Sequence, residues 1–232
     1  MNRLLVIFAW LFSVKSFSQH NAFFLSHPTL TPDAQTVIFA FEGDLWKANV
    51  NDGNATRLTA MQGYETSPRI SPDGRWIAFT ATQYGNPDVF IIPANGGEVR
   101  QLTYHSGIDD VTGWTWDSQN IYFNSNRLNR TAGFKVSVNG GTPQRIFGDH
   151  FFQYDHNLVE HPTSGEVFFS DSWESSNQAQ RKRYKGPFNP DIQSYNLKTK
   201  QHKKYTTWEG KDFGATIDKN GYVYFISDET NG

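Results

Sequence analysis

The sequence predicts an all-β protein made of a four-stranded antiparallel unit that repeats along the chain. Aromatic residues make up 16% of the 232 residues and there are only 2 methionines, a composition that favours strands over helices. A Pro-Asp turn followed by an apolar-x-Phe run recurs, and the phenylalanines lie 40, 44, 46 and 56 residues apart. These anchor phenylalanines are Phe39, Phe79, Phe123, Phe169 and Phe225. A period in the forties that holds four short strand patterns is typical of a β-propeller blade.

The second copy of the repeat is the clearest one. The residues that precede Ser-Pro-Asp-Gly at 71–74 are predicted to form the first strand of a blade, and residues 77–79 lie in the second. Proline presets φ, aspartate bonds the backbone ahead of it and glycine tolerates positive φ, so this tetrapeptide predicts a tight turn. Residues 88–91 are predicted in the third strand and residues 101–103 in the fourth, with a hairpin turn at 95–97 between them.

The same four parts divide the chain into blades. The predicted blades span residues 24–60, 64–104, 110–148, 156–207 and, incompletely, 212–232. Together they form a partial propeller at residues 19–232, with about four and a half blades. A β-sandwich also has short strands and frequent turns, but it gives no reason for one phrase to recur in register. Because an open array leaves apolar faces in water, we expect at least six blades in the intact propeller and a longer parent protein.

The first eighteen residues differ from the repeats. A basic start is followed by an apolar run at residues 4–14, interrupted only by Ser13, and small residues then precede Gln19. This pattern predicts a secretory signal peptide at residues 1–18. A buried helix or a membrane span is the alternative, although the run is too short to span a bilayer. We therefore expect an exported protein, periplasmic or extracellular in a bacterium, with no membrane span after the signal is removed.

Charge and motif content exclude several classes of function. The formal net charge is −2, whereas a dedicated nucleic-acid binder carries a strong basic excess. The chain has no cysteine, which excludes thiol catalysis and a cysteine-ligated metal. It also has no Gly-x-Ser-x-Gly elbow, no His-Glu-x-x-His zinc helix and no phosphate-binding glycine loop. We predict no catalytic, cofactor-binding or metal-binding residue in this chain.

Three acidic–histidine pairs lie close together in the chain and raise the question of a metal site. They are Asp149-His150, Asp155-His156 and Glu160-His161. Metal ligands must converge, and these pairs lie on a blade connection and beside a strand, so their directions are not fixed by the sequence. His161 also takes the position before proline that Ser71 takes in the second blade. A structural role is the favoured interpretation.

A basic segment lies in the long insertion between the second and third strands of the fourth blade. It consists of Arg181, Lys182, Arg183 and Lys185, and further lysines follow at 198, 200, 203 and 204. A solvated loop is the ordinary interpretation of such a run of charge. The functional alternative is a contact with a partner domain or with a peptide, for which the four residues of the basic segment are the candidates.

Several phrases of the chain resemble a known group of propeller repeats. SPDGRWIAF, GGEVRQLT and PDAQTVIFAFEGDLWKANV resemble the repeats of the TolB family and of the N-terminal propellers of tricorn-type proteases. Two features favour the tricorn type. Residues 41–59 are similar to the opening blade of its six-bladed domain, and residues 174–196 look like the blade-four insertion of exported bacterial relatives. The resemblance covers residues 24–232.

The resemblance implies a large exported serine peptidase in which this propeller precedes a second propeller, a PDZ module and the peptidase core. This chain would be the non-catalytic part, serving peptide passage, filtering and scaffolding. Its partners would be the remaining blades, the C-terminal peptidase domains and peptides, with a homo-oligomer of the parent as an open alternative. The runner-up hypothesis is a TolB-like periplasmic propeller that binds a protein or peptide and is not an enzyme. A third, an active site at the central channel, would require polar residues that converge from several blades.

Overall fold

The computed structural model describes residues 25–128, 130–147 and 154–229. The predicted signal peptide, the pair Asp149-His150 and the end of the fifth predicted blade lie outside these residues. The described chain consists of strands and loops with one short helix, α1 (Trp173–Asn177). In this part of the chain, no helix is long and apolar enough to cross a membrane.

The described strands form five separate antiparallel sheets. The first sheet contains β1 (Ser26–Leu30), β2 (Thr36–Phe41), β3 (Asp44–Asn49) and β4 (Ala55–Arg57). The second contains β5 (Glu65–Ile70), β6 (Trp76–Ala81), β7 (Asp88–Pro93) and β8 (Arg100–Gln101). The third contains β9 (Asp109–Trp114), β10 (Asn120–Ser125), β11 (Ala132–Ser137) and β12 (Gln144–Arg145).

The last two sheets differ from the first three. The fourth contains β13 (His156–Glu160), β14 (Glu166–Ser170), β15 (Gln193–Asn196) and β16 (His202–Lys204), with α1 between β14 and β15. The fifth contains β17 (Asp212–Ile217) and β18 (Val223–Ser227). In every sheet the strands lie side by side in chain order. The predicted all-β fold is therefore confirmed: these are the sheets of a partial β-propeller.

The turn between β5 and β6 is held by the side chains that recur in the sequence. Ser71 Oγ donates to Asp73 Oδ1 at 2.6 Å and accepts the backbone N–H of Trp76 at 3.0 Å. Asp73 Oδ1 also accepts the backbone N–H of Arg75 at 3.0 Å. The same bonds recur in two other turns, at Thr31 with Asp33 and at Thr115 with Asp117. The repeated phrase thus encodes a hydrogen-bonded turn that joins the first strand of a sheet to the second.

The apolar core lies between neighbouring sheets. Successive residues of a strand point to opposite faces, and β6 shows the consequence. Ile77 and Phe79 pack with Ile38 and Leu45 of the first sheet, whereas Ala78 belongs to a cluster shared with the third sheet. Four clusters of this kind fill the four junctions between consecutive sheets. Each sheet is therefore stabilised by burial against its neighbours.

The anchor phenylalanines explain the regular spacing of the repeat. Phe79, Phe123 and Phe169 are fully buried, and each lies in a cluster with side chains of the preceding sheet. Phe225 is 43% exposed, because among the described residues β18 has only β17 beside it. The phenylalanine recurs where it closes the junction to the sheet before it.

Candidate functional site in the central channel

The first strand of each sheet faces a common space, the central channel. These innermost strands are β1, β5, β9, β13 and β17, and each contacts the next one along the chain. Within the described residues, β17 and β1 lack the extended contact that joins the other consecutive pairs. Residues of all five strands line a cavity of about 890 Å³, a volume in the range of ligand-binding pockets.

Every innermost strand carries an irregularity that shapes the channel wall. Four of them shift register at a residue with positive φ, at His27, Ser67, Asn157 and Gly214. In β9 the shift falls at Thr112. A bulge bends its strand and redirects the side chains that follow. After each bulge, a residue one or two positions further along lines the cavity, so these irregularities shape what the channel presents.

Hydrogen bonds tie β9 to both of its neighbours in the channel wall. Arg69 Nε of β5 donates to the carbonyl oxygen of Thr112 at 3.0 Å, and Trp114 Nε1 donates to the carbonyl oxygen of Arg69 at 2.8 Å. On the other side, Trp116 in the turn after β9 donates twice to Glu160 of β13: its backbone N–H to Oε2 at 2.8 Å and its Nε1 to the carbonyl oxygen at 2.5 Å. The wall thus places a cation and an anion on the two flanks of β9.

Burial shifts the pKa of both charged groups. It lowers the pKa of Arg69, and the negative charge of Asp110 opposes that shift. It raises the pKa of Glu160, and the hydrogen bond from the Trp116 backbone opposes that shift. A guanidinium nevertheless remains protonated in proteins. The channel therefore keeps a positive charge at Arg69 at every physiological pH.

The structure separates the acidic–histidine pairs. Asp155-His156 lies at the beginning of β13 and Glu160-His161 at its end, so a strand length separates them. His156 Nε2 donates to the carbonyl oxygen of Ser172 at 3.0 Å. His161 Nδ1 accepts backbone N–H groups of its own turn, the nearest at 3.1 Å. No group of three histidine, aspartate or glutamate side chains in the described ranges could hold a metal ion.

Asp155 and His156 are both almost completely buried. Neither carboxylate oxygen of Asp155 has a hydrogen-bond partner among the described residues. Burial and the negative charge of Asp171 raise the pKa of Asp155 to about 7, while Arg145 opposes the shift. Burial lowers the pKa of His156 to about 4. In both groups the protein interior favours the neutral form.

The basic segment is exposed and makes contacts within the chain. Arg181 Nη1 lies 3.5 Å from a carboxylate oxygen of Glu174, and Lys185 Nζ lies 2.8 Å from Glu209 Oε2. All four of its side chains are exposed, including Lys182. These contacts place the segment beside α1 and beside the residues that precede β17, and none of its four residues lines the cavity. Its role in binding a partner or a peptide stays a prediction.

From the sequence, Arg69 was not considered as a site residue, and Glu160 was considered only as part of an acidic–histidine pair. Their location in the repeat could have pointed to them, because both residues lie on a predicted first strand, within a few residues of its turn. Their direction, however, depends on partners 43 and 44 residues away, at Thr112 and Trp116. Contacts of that separation leave no local pattern.

Comparison with known proteins agrees with this architecture. The model of the tricorn protease N-terminal beta propeller domain matches residues 22–232. Tricorn protease homolog 1 of Streptomyces coelicolor is 39% identical over 89 residues, which are 38% of this chain and 8% of that protein. A tricorn protease homolog of Saccharolobus solfataricus is 27% identical over 139 residues, 57% of this chain and 13% of that protein. This chain therefore spans only a small part of the length of these relatives.

Solved structures show the same fold. The crystal structure of the tricorn protease has a TM-score of 0.71 at 20% identity, covering 88% of this chain and 20% of that one. TolB from Acinetobacter baumannii has a TM-score of 0.62 at 18% identity, covering 88% of this chain and 52% of that one. The family match extends over almost the whole sequence. This chain belongs to the family of tricorn protease N-terminal β-propeller domains.

Proposed function

We propose that this chain is the N-terminal propeller part of an exported tricorn-like serine peptidase, and that its central channel passes and filters peptides. The observation that carries the proposal is the cavity of about 890 Å³ lined by the innermost strands of a chain of this family. The signal pattern at residues 1–18 supports export. The peptidase core lies in the part of the parent protein that this chain does not span.

The channel wall suits peptides of varied sequence. Each innermost strand is paired on one side only, so its other edge faces the channel. Side chains of neighbouring sheets already bond the carbonyl oxygens of Arg69, Thr112 and Glu160, and the remaining backbone groups of these edges are left for a peptide. Such groups can hydrogen-bond any peptide backbone, whatever its side chains. Apolar side chains lie between them, including Leu30, Pro32, Ile70, Pro72 and Val159. This combination favours loose binding of an extended chain over recognition of one sequence.

The proposal is tested by binding of a fluorescein-labelled, unstructured decapeptide to the full chain, followed by fluorescence anisotropy. Thr216 is exposed and lines the cavity, so Thr216→Trp narrows the channel without disturbing a buried contact. Thr199→Trp adds the same side chain at an exposed turn outside the cavity lining and is the matched control. We expect T216W to weaken binding at least several-fold and T199W to leave it unchanged.

Three outcomes would count against the proposal. Equal binding by T216W and T199W would place the peptide outside the channel. Absence of binding by the unmodified chain would refute the proposed passage of peptides. Specific binding of a folded periplasmic protein in place of peptides would instead favour the TolB-like alternative, whose fold this chain also shares.

A further inference from the structure

Arg69 is a charged side chain with unused donors in the channel wall. Its Nε donates to the carbonyl oxygen of Thr112 at 3.0 Å and its Nη1 donates to that of Pro68 at 2.9 Å. A guanidinium has five N–H groups in a fixed fork. The remaining three have no acceptor among the described residues, and the side chain lines the cavity. The two bonds fix the guanidinium, and the unused donors are left for a ligand.

The negative charges around Arg69 are engaged elsewhere. No carboxylate oxygen in the described parts of the chain lies within 4.0 Å of its guanidinium. Asp110, whose charge acts on Arg69 from a greater distance, accepts a hydrogen bond from Thr80 Oγ1 at 2.9 Å. Glu160, which lines the same cavity, accepts the backbone N–H of Trp116. The guanidinium is therefore partly desolvated and lacks a counter-ion in contact with it.

We propose that Arg69 forms an anion-binding site in the central channel that takes a carboxylate group. A planar carboxylate offers two oxygens that match the guanidinium fork, and such charge-assisted pairs are the stronger hydrogen bonds in proteins. Trp114 is tied to the Arg69 backbone, which keeps an indole ring beside the site. The ordered wall means that little side-chain freedom is lost when the anion binds.

Two sources can supply this carboxylate, an acidic side chain of a peptide or the C-terminus of a peptide. The assignment to peptides rests on the proposed function, whereas the anion site itself rests on the surroundings of Arg69. With a preference for carboxylates, the channel would retain negatively charged peptides longer than neutral ones, while it would still accept peptides of varied sequence. On this proposal, Arg69 is the residue that gives the channel its preference for charge.

The test is isothermal titration calorimetry on the full chain with four probes. Glutarate reports the anion site alone. A neutral tetrapeptide with a free C-terminus and a doubly capped tetrapeptide with one glutamate distinguish the two sources, and a doubly capped neutral tetrapeptide is the reference. We expect at least one carboxylate peptide to bind about tenfold or more tightly than the reference, as a charge-assisted pair contributes. Binding should weaken with added salt.

Protein variants then locate the effect. Arg69→Gln should abolish the preference for carboxylates, and Arg69→Lys should keep part of it because the charge remains without the fork. Arg75→Gln is the matched control, since Arg75 has a 70% exposed side chain and pairs with Asp73 outside the cavity lining. Circular dichroism and thermal melting show whether each variant is folded. If R69Q does not fold, the comparison of capped and uncapped peptides on the unmodified chain decides.

Each outcome has a separate meaning. Equal affinity for carboxylate and reference peptides, or a preference that survives in R69Q, overturns the anion site and leaves peptide passage intact. Binding of glutarate through Arg69 without binding of any peptide supports the anion site and overturns the proposed function. Failure of all four probes to bind overturns both.

Discussion

A carboxylate oxygen of Glu174 in α1 lies 3.1 Å from Nζ of Lys211, and both side chains are almost completely buried. Lys211 Nζ also donates to the carbonyl oxygen of Gln178 at 2.5 Å. Lys211 directly precedes β17, so this ion pair fastens the insertion of the fourth sheet to the fifth. Part of the insertion is therefore a structural contact between two sheets.

Removal of one partner of this pair is expected to destabilise the chain. Lys211→Met leaves the Glu174 carboxylate buried, with only Arg181 at 3.5 Å, and should lower the free energy of unfolding by about 3 kcal/mol. The double variant Glu174→Gln/Lys211→Met should recover much of this loss. Lys185→Met removes an exposed pair and should change little. Urea unfolding measures all of these, and equal effects of K211M and K185M would refute the buried-pair interpretation.

Asp155 should make the chain less stable as the pH rises. Its pKa is about 7 in the folded chain and 3.8 as a free residue, so unfolding releases a proton between these values. Stability contributed by the protonated form is full below pH 3.8 and is lost as the pH rises toward 7. Asp155→Asn should therefore match the unmodified chain near pH 4 and be more stable at pH 8, by up to about 4 kcal/mol. Melting curves across this range measure the difference, and a parallel pH profile for D155N would contradict it.

His156 should act in the opposite direction. Its pKa is about 4 in the folded chain and 6.5 as a free residue, so unfolding takes up a proton between these values. The stability is full above pH 6.5 and is lost as the pH falls through 4. His156→Gln can still donate to the carbonyl oxygen of Ser172 and should flatten this acid-side loss. Urea unfolding at pH 5 and at pH 7 measures the loss of stability in both chains. An equal loss in H156Q and in the unmodified chain would count against this role of His156.

The same turn position in two sheets provides a matched pair of substitutions. Gly74 has φ 73° and Ala34 has φ 57°, both in the left-handed region. A Cβ at Gly74 would meet only Pro32 at 3.7 Å, so its cost is conformational. Gly74→Ala should lower the free energy of unfolding by about 1 kcal/mol, and Ala34→Gly should raise it by a similar amount. Equilibrium unfolding measures both, and changes of the same sign would contradict the backbone explanation.

Export can be tested at the predicted cleavage point. If residues 1–18 are a signal peptide, protein secreted by a bacterial host should begin at Gln19. Ser18→Arg replaces the small residue before that point and should block processing. N-terminal sequencing of the exported fraction provides the measurement. An exported product that still starts at Met1 would show that the segment has another role.

The predictable part of this structure is the part set by neighbouring residues. The side-chain bonds of Ser71 and Asp73 all reach partners within five residues, so a tetrapeptide was enough to predict the turn. The strand content followed from the aromatic composition and from the spacing of the repeat. The exposure of Phe225 did not follow, since it depends on which strands flank β18.

The candidate site was beyond the reach of sequence patterns for the same physical reason. The Arg69 side chain is set by a bulge and by a carbonyl oxygen on the next sheet, 43 residues later. The contact between Lys211 and Gln178 spans 33 residues and crosses from one sheet to another. Charge and residue type are visible in the sequence, whereas these directions arise only when the sheets assemble.

The apolar clusters at the junctions have a consequence for how this architecture changes in size. The second strand of a sheet presents one set of side chains to the preceding sheet and another set to the following sheet. Each repeat therefore carries half of two interfaces. A duplicated repeat therefore arrives with complementary halves already in place. The chain can gain or lose a whole unit while each new neighbour still meets a compatible surface. The number of sheets in a closed propeller is then limited mainly by the geometry of closure around the channel. A new apolar interface is not needed for each added sheet.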